Sequence, residues 1–322
     1  MALSLEPRHL ALASSIILAL WGCGARPSSV PDTRAPALDR AHAVMDDGYP
    51  LPFDAWKPAG KARAVVLALH GFNDYRKAFA DVGPFLAGQG IATYAYDQRG
   101  FGDTAYRGLW AGTARMVADV KAMAALLRAR YRGLPLYLLG ESMGGAVVIA
   151  AVTHPDHPPE TQGIILVAPA VWGRHHMNVV MRTMLWLAWH AAPGFRLTGE
   201  GLKVKASDNH EMLAALHRDP HIIKATRIDA ISGLADLMDT ALAAAPRLAV
   251  PALILYGEQD EVIPKRPTCR FLGALPYRSA RRWRLALYPA GHHMLMRDLQ
   301  GKTVLSDREL DSRSQSRAGI GV

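Results

Sequence analysis

Cysteine is nearly absent from this chain. Cys23 and Cys269 are the two in 322 residues. Two cysteines cannot build a disulfide framework, and no Cys/His spacing suggests a zinc site. Cys269 reads as an ordinary helix residue. Runs of one charge are missing as well. The formal net charge is +9, and a basic balance can signal nucleic acid or an anionic membrane surface. The Lys and Arg residues are scattered, however, with no interleaved aromatics, so a generally basic surface is expected and no nucleic-acid partner. No internal repeat is visible. The apolar stretch near the N-terminus, Leu10 to Leu20, is too short to span a bilayer comfortably.

What is present is a globular composition. Half of the residues are hydrophobic, enough to bury a substantial core in one large domain or two small ones. Residues 1–22 have the form of an export signal, with Arg8 and His9 ahead of the short apolar core. The junction Leu20-Trp21-Gly22-Cys23 resembles the bacterial lipobox, where cleavage leaves a lipidated cysteine. Trp21 departs from the small residue usual at its position, and Glu6 weakens the positive region ahead. Cys23 is therefore the expected lipidation site, and an uncleaved anchor or a plain secretory signal is the alternative. Residues 23–44 read as a tether, being rich in Pro, Ser and Arg without apolar periodicity.

Folding signals begin near Met45. Tyr49 to Trp56 is expected to open a hairpin at a sheet edge, because its prolines exclude a central strand. Buried strands are expected over Arg63 to His70, Ile91 to Tyr96, Gly163 to Pro169, Pro251 to Gly257 and Arg282 to Tyr288, and helices over Tyr75 to Ala87 and Thr113 to Tyr131. Strands alternating with helices imply an α/β fold, a doubly wound and mostly parallel sheet with helices on both faces. Residues 173–233 break the rhythm. They hold no convincing buried strand, and Met177 to Trp189 is more apolar than a surface helix normally is. That segment is expected to be an inserted helical cap, the alternative being a helix of the main core. The core is then residues 45–172 and 234–305. A final helix begins within Leu295 to Leu305, and residues 306–322 are polar and expected to be disordered.

The stretch from Leu134 to Ala150 carries the chemistry. A strand-length apolar run ends in Gly140-Glu141-Ser142-Met143-Gly144, and a helix-length apolar run starts at once. Strand, sharp turn and helix make the setting of a nucleophile elbow, with Ser142 at its tip. A serine needs a base, and the base needs a carboxylate. In a doubly wound sheet such groups lie on loops at the strands' C-terminal ends. Two loops fit: Gly257 to Pro264, with Glu258, Asp260 and Glu261, and Tyr288 to Leu295, with His292 and His293.

At this point the sequence resembles a known family, the monoacylglycerol lipase and lysophospholipase branch of the α/β-hydrolases, also described as serine aminopeptidase-like hydrolases. The resemblance covers roughly residues 45–300 and rests on His70-Gly71-Phe72-Asn73, Asp97 to Gly102, the Gly140 to Gly145 motif, Gly257-Glu258-Gln259-Asp260 and His293. It implies an α/β-hydrolase fold with Ser142, Asp260 and His293 as catalytic residues, and the backbone N–H groups of Phe72 and Met143 as oxyanion hole. It also implies loop-holding roles for His70, Asp97 and Arg99. The implied activity is hydrolysis of a lipid-like monoester through an acyl-serine, with no metal and no organic cofactor. Acyl transfer or peptide hydrolysis on the same triad is one alternative, and a non-catalytic tethered binding protein is another. Relatives of the dehalogenase and epoxide hydrolase kind carry Asp where Ser142 stands. With the Cys23 junction, the expected place is the bacterial cell envelope, with the membrane reached through the lipid anchor.

Overall fold

The computed structural model describes residues 34–199, 201, 204–276 and 282–306. The expected signal, Cys23, most of the tether and the tail beyond Ser306 lie outside the described residues. The strands are β1 (Ala37–Leu38), β2 (His42–Val44), β3 (Pro50–Trp56), β4 (Ala64–Leu69), β5 (Ile91–Tyr96), β6 (Leu136–Glu141), β7 (Gly163–Val167), β8 (Arg196–Thr198), β9 (Ala225–Arg227), β10 (Ala252–Gly257) and β11 (Trp283–Tyr288). Nine of them form one sheet in the order β1-β2-β3-β5-β4-β6-β7-β10-β11. From β5 to β11 every pairing is parallel, while β1, β2 and β3 join antiparallel. Strand β4 is buried at every position, as a continuous apolar run between two covered faces requires. Its alternate residues serve separate cores: Val65, Leu67 and Leu69 face one, Val66 and Ala68 the other.

The helices are α1 (Val82–Gly88), α2 (Thr113–Arg130), α3 (Met143–Val152), α4 (Val179–Ala191), α5 (His210–Arg218), α6 (Ile228–Ala244), α7 (Lys265–Ala274) and α8 (Gly301–Ser306). One core includes residues of α2, α3 and α6, and the other residues of α1 and α8. Strand order reverses about β4, with β5 on one side and β6 on the other. The loops leaving β4 and β6 therefore diverge and open a crevice at the C-terminal edge, where open α/β sheets hold their sites.

Four expectations change. The segment Tyr49 to Trp56 is not an edge. Its proline half pairs with β2, and Phe53 to Trp56 pairs with β5, so the ladder next to the parallel sheet uses residues free of proline. The helix expected from Tyr75 to Ala87 is a 3-10 turn at Arg76–Phe79 followed by α1. Pro84 explains the break: it has no N–H and its ring crowds the preceding turn, so it is tolerated only in the first turn of a helix that starts at Val82. The final helix is only α8, with turns over residues 293–300. Leu295, Met296, Val304 and Leu305 are nonetheless buried, so this short end covers its part of the core. Lastly, the cap boundary at 233 falls inside α6. Ile228, Ala230, Ala235, Leu237 and Met238 are all buried along that helix, and one continuous apolar face cannot be divided between two bodies.

The remainder of the interrupting segment is α4, α5 and the small pair β8–β9. Asn178 caps α4, its side-chain oxygen accepting the Met181 N–H at 2.8 Å. No residue of α4 is buried, so it is not a core helix. Among the described residues, no helix is long and apolar enough to cross a membrane.

Candidate active site

The elbow turns on Ser142, whose φ is +51° and ψ −114°. A non-glycine residue here is strained, and such strain persists only where the surroundings over-determine it. They do. The Ser142 N–H donates to the Val167 carbonyl at 2.9 Å, and its own carbonyl accepts from Ala170 at 2.9 Å and Ala146 at 3.2 Å. Glycine clears the space that the turn needs. A Cβ on Gly144 would lie 2.2 Å from the Leu69 carbonyl oxygen, and one on Gly140 2.5 Å from that of Gly144. Both clashes are with backbone, which cannot swing aside.

The structure brings Ser142, His293 and Asp260 into one line. Ser142 Oγ lies 2.9 Å from His293 Nε2, and His293 Nδ1 lies 2.9 Å from Asp260 Oδ2. The second oxygen of Asp260 accepts two backbone N–H groups, Val262 at 2.8 Å and Ile263 at 2.9 Å. The carboxylate is thus held at both ends. Its loop is stitched to the histidine loop, since Glu258 N–H donates to Tyr288 O and Gln259 N–H to Gly291 O, each at 2.9 Å. Such a line can deprotonate a hydroxyl, with the tautomer fixed by the carboxylate. Glu261 does not join it; one of its oxygens accepts the Lys205 N–H at 2.7 Å. His292, the rival base, is buried with its Nδ1 lacking a hydrogen-bond partner.

Met143 is the first residue of α3, so its N–H has no intrahelical partner. Phe72 follows Gly71, whose Cβ position would fall 3.4 Å from Ser142 Cβ. The two backbones therefore approach closely beside the hydroxyl, where developing negative charge can be met by N–H groups.

His70 is fully buried behind this loop. Its Nε2 accepts the Gln98 N–H at 3.0 Å, so Nδ1 carries the proton and donates to the Gly71 carbonyl at 2.8 Å. Burial pulls the His70 pKa down, against the opposing pull of Asp97. Asp97 fixes the neighbouring turn by accepting the Arg76 and Asp103 N–H groups at 2.8 Å each. Arg99 bridges Asp47 and Asp119 at 2.7 Å each and lies over the Tyr49 ring.

Sequence reasoning missed a charged group beneath the elbow. Arg297 contacts both Glu141 and Asp74: its Nη2 donates to Asp74 Oδ2 at 2.7 Å and reaches Glu141 Oε2 at 3.3 Å. Arg297 joins the base loop, the residue before Ser142 and the loop after Phe72. Burial pushes the Glu141 carboxyl up, with Arg297 opposing and Asp74 assisting. Burial works against the Arg297 charge, but Asp74 and Glu141 outweigh it and raise its pKa. The available signal was a carboxylate ending an otherwise apolar strand.

Comparison with known proteins agrees with this architecture. The family model described as Serine aminopeptidase, S33 matches residues 60–300. The monoacylglycerol lipase of Mycolicibacterium smegmatis is 26% identical over 266 residues, covering 81% of this chain and 91% of that protein. The human monoglyceride lipase is 26% identical over 275 residues, covering 82% of this chain and 86% of that one. Among solved structures, the monoacylglycerol lipase of Paleococcus ferrophilus superposes with a TM-score of 0.68 at 22% identity, over 83% of this chain and 99% of that chain. A soluble variant of the Saccharomyces cerevisiae monoglyceride lipase, in complex with a substrate analog, gives 0.69 at 21% identity, over 89% and 98%. The chain belongs to the serine aminopeptidase S33 family of α/β-hydrolases and is a carboxylic ester hydrolase of the lipase/esterase type.

Proposed function

We propose that this protein hydrolyses a monoacylglycerol-like ester through an acyl-serine. The observation that carries the reading is the unbroken hydrogen-bonded line from Ser142 Oγ through His293 to Asp260. Ser142 Oγ attacks the ester carbonyl as its proton passes to His293 Nε2. The Phe72 and Met143 N–H groups hold the oxyanion, and His293 returns the proton to the departing alcohol. Water, activated by the same imidazole, then releases the fatty acid. The choice of substrate is supported by the relatives named monoacylglycerol and monoglyceride lipase. Apolar side chains on α4, with Val180 70% and Trp186 57% exposed, are compatible with a greasy acyl chain.

The test is a substrate panel run with an active-site label. Monoacylglycerols should release fatty acid, and a fluorophosphonate should label the native chain but not Ser142→Ala. Labelling of Ser142→Ala at the native rate would remove Ser142 as nucleophile. Turnover of aminoacyl amides in place of monoacylglycerols would point to the peptidase reading. For location we infer an envelope-anchored enzyme, on the support of the Leu10 to Leu20 core and the Gly22-Cys23 junction.

A further inference from the structure

His292 stands next to the base and takes no part in the proton relay. Its ring is buried, with 7% of the residue exposed. Its Nδ1 has no hydrogen-bond partner, and Asp298 Oδ2 lies 3.7 Å away. A buried polar atom without a partner carries a desolvation cost and calls for an explanation. Two carboxylates share its corner. Asp298 is buried, accepting the His292 N–H on Oδ2 and the Ser207 hydroxyl on Oδ1, each at 2.6 Å. Asp208 accepts the Leu299 N–H on Oδ1 at 2.9 Å. One ligand atom from each of Asp208, His292 and Asp298 lies within 4.8 Å of the others.

We propose that Asp208, His292 and Asp298 bind a divalent metal ion, and that zinc is the ion that fits. Zinc ligands at roughly 2.0–2.2 Å in a tetrahedron stand about 3.3–3.6 Å from one another. The Nδ1 to Oδ2 separation of 3.7 Å is close to that edge, and Asp208, whose ligand atom lies within 4.8 Å of both, has to close by on the order of 1 Å. Two carboxylates balance the charge of the ion, neutral imidazole supplies a lone pair from Nδ1, and water completes the set. Each carboxylate oxygen has more than one acceptor direction, so the existing hydrogen bonds need not break. An imidazole ligand and so few oxygens favour zinc over calcium or magnesium, which call for six or more oxygen ligands.

The ion would act as a clasp. Asp208 belongs to the segment between β8 and α5, whereas His292 and Asp298 belong to the loop that carries His293. The two segments already meet through Met294 N–H to Ala206 O at 2.9 Å and Asn209 Nδ2 to Arg297 O at 3.0 Å. Metal at this point ties the interrupting segment to the loop that sets the Ser142–His293 hydrogen bond.

The experiment titrates the chelator-stripped full chain with zinc chloride against a chromogenic competitor, beside Asp208→Asn and His292→Gln. Asn at 208 keeps an acceptor for the Leu299 N–H, so that variant should fold. The native chain is expected to bind one zinc, with its melting temperature rising on the order of 5 °C at about 100 times Kd. Both variants should lose at least tenfold in affinity, and cobalt should give the visible absorption of a tetrahedral site in the native chain alone. Millimolar calcium or magnesium should leave the melting temperature unchanged. Equal zinc affinity in all three proteins would assign the binding to other histidines and overturn the proposal. So would the lack of any zinc-dependent melting shift in the native chain, which would leave His292 and Asp298 as a simple ion pair.

Discussion

Replacing Asp260 with asparagine should stop turnover while leaving the fold nearly intact. One side-chain oxygen of Asp260 faces two backbone donors, the N–H groups of Val262 and Ile263. An asparagine must keep its carbonyl oxygen there, because turning its NH2 toward two N–H groups would set donor against donor. Its NH2 then faces His293 Nδ1, where Asp260 Oδ2 now accepts at 2.9 Å. Nδ1 becomes an acceptor, and the ring proton moves to Nε2. That nitrogen, 2.9 Å from Ser142 Oγ, would then donate to the hydroxyl instead of taking its proton. A wrong tautomer in such a relay costs about 10⁴-fold in kcat, equivalent to about 5.4 kcal/mol of barrier. Stability should fall by no more than ~1 kcal/mol, since all three hydrogen bonds are remade. Asp260→Ala, by contrast, loses both loop donors' acceptor and should destabilise by ~1–3 kcal/mol for each buried group left unpaired. The measurements are kcat on a soluble ester and the midpoint of chemical unfolding. An Asp260→Asn enzyme within tenfold of native activity would refute the tautomer argument.

Three further expectations follow from separate parts of the molecule. Gly144→Ala should destabilise by about 3 kcal/mol or more and abolish fluorophosphonate labelling, because its Cβ would sit 2.2 Å from the Leu69 carbonyl oxygen. Gly273→Ala in α7 meets nothing within 4 Å and should instead stabilise by ~0.5–1 kcal/mol, so equal effects in the two unfolding curves would contradict the packing argument. His70, whose pKa burial holds below that of an ordinary imidazole, takes up protons more readily when unfolded. Its contribution is full above about pH 6.5 and is lost as pH falls through its lower folded value; His70→Gln should flatten this acid slope, and an unchanged slope would exclude His70 as its source. Cys23→Ser should block processing and leave the longer precursor, and intact mass would decide: a native chain that starts at Met1 without added lipid mass would rule out lipidation.

The elbow, the alternating strands and helices, and the separate loops holding Asp260 and His293 were legible in the sequence, because each is local. A strand-turn-helix with glycines two residues either side of a serine states its own geometry, and a fully apolar run such as Ala64–Leu69 states its burial. Pro84 was visible too, yet the helix expected over Tyr75 to Ala87 ran through it, and the start at Val82 came from the structure. The rest required the tertiary fold. Strand β3 could be read as an edge until two other strands were found to continue the sheet beyond it. Helix α6 looked divisible until its buried face was seen to run unbroken from Ile228 to Ala244. Between His292 and His293 the residues themselves do not decide; the family resemblance pointed to His293, and in the structure it is the His293 ring that reaches Ser142. The Glu141–Arg297–Asp74 contact and the Asp208–His292–Asp298 corner join residues remote in the chain. Spacing along a sequence reports periodicity, but a meeting of charges between different loops exists only after the sheet has brought those loops to one edge.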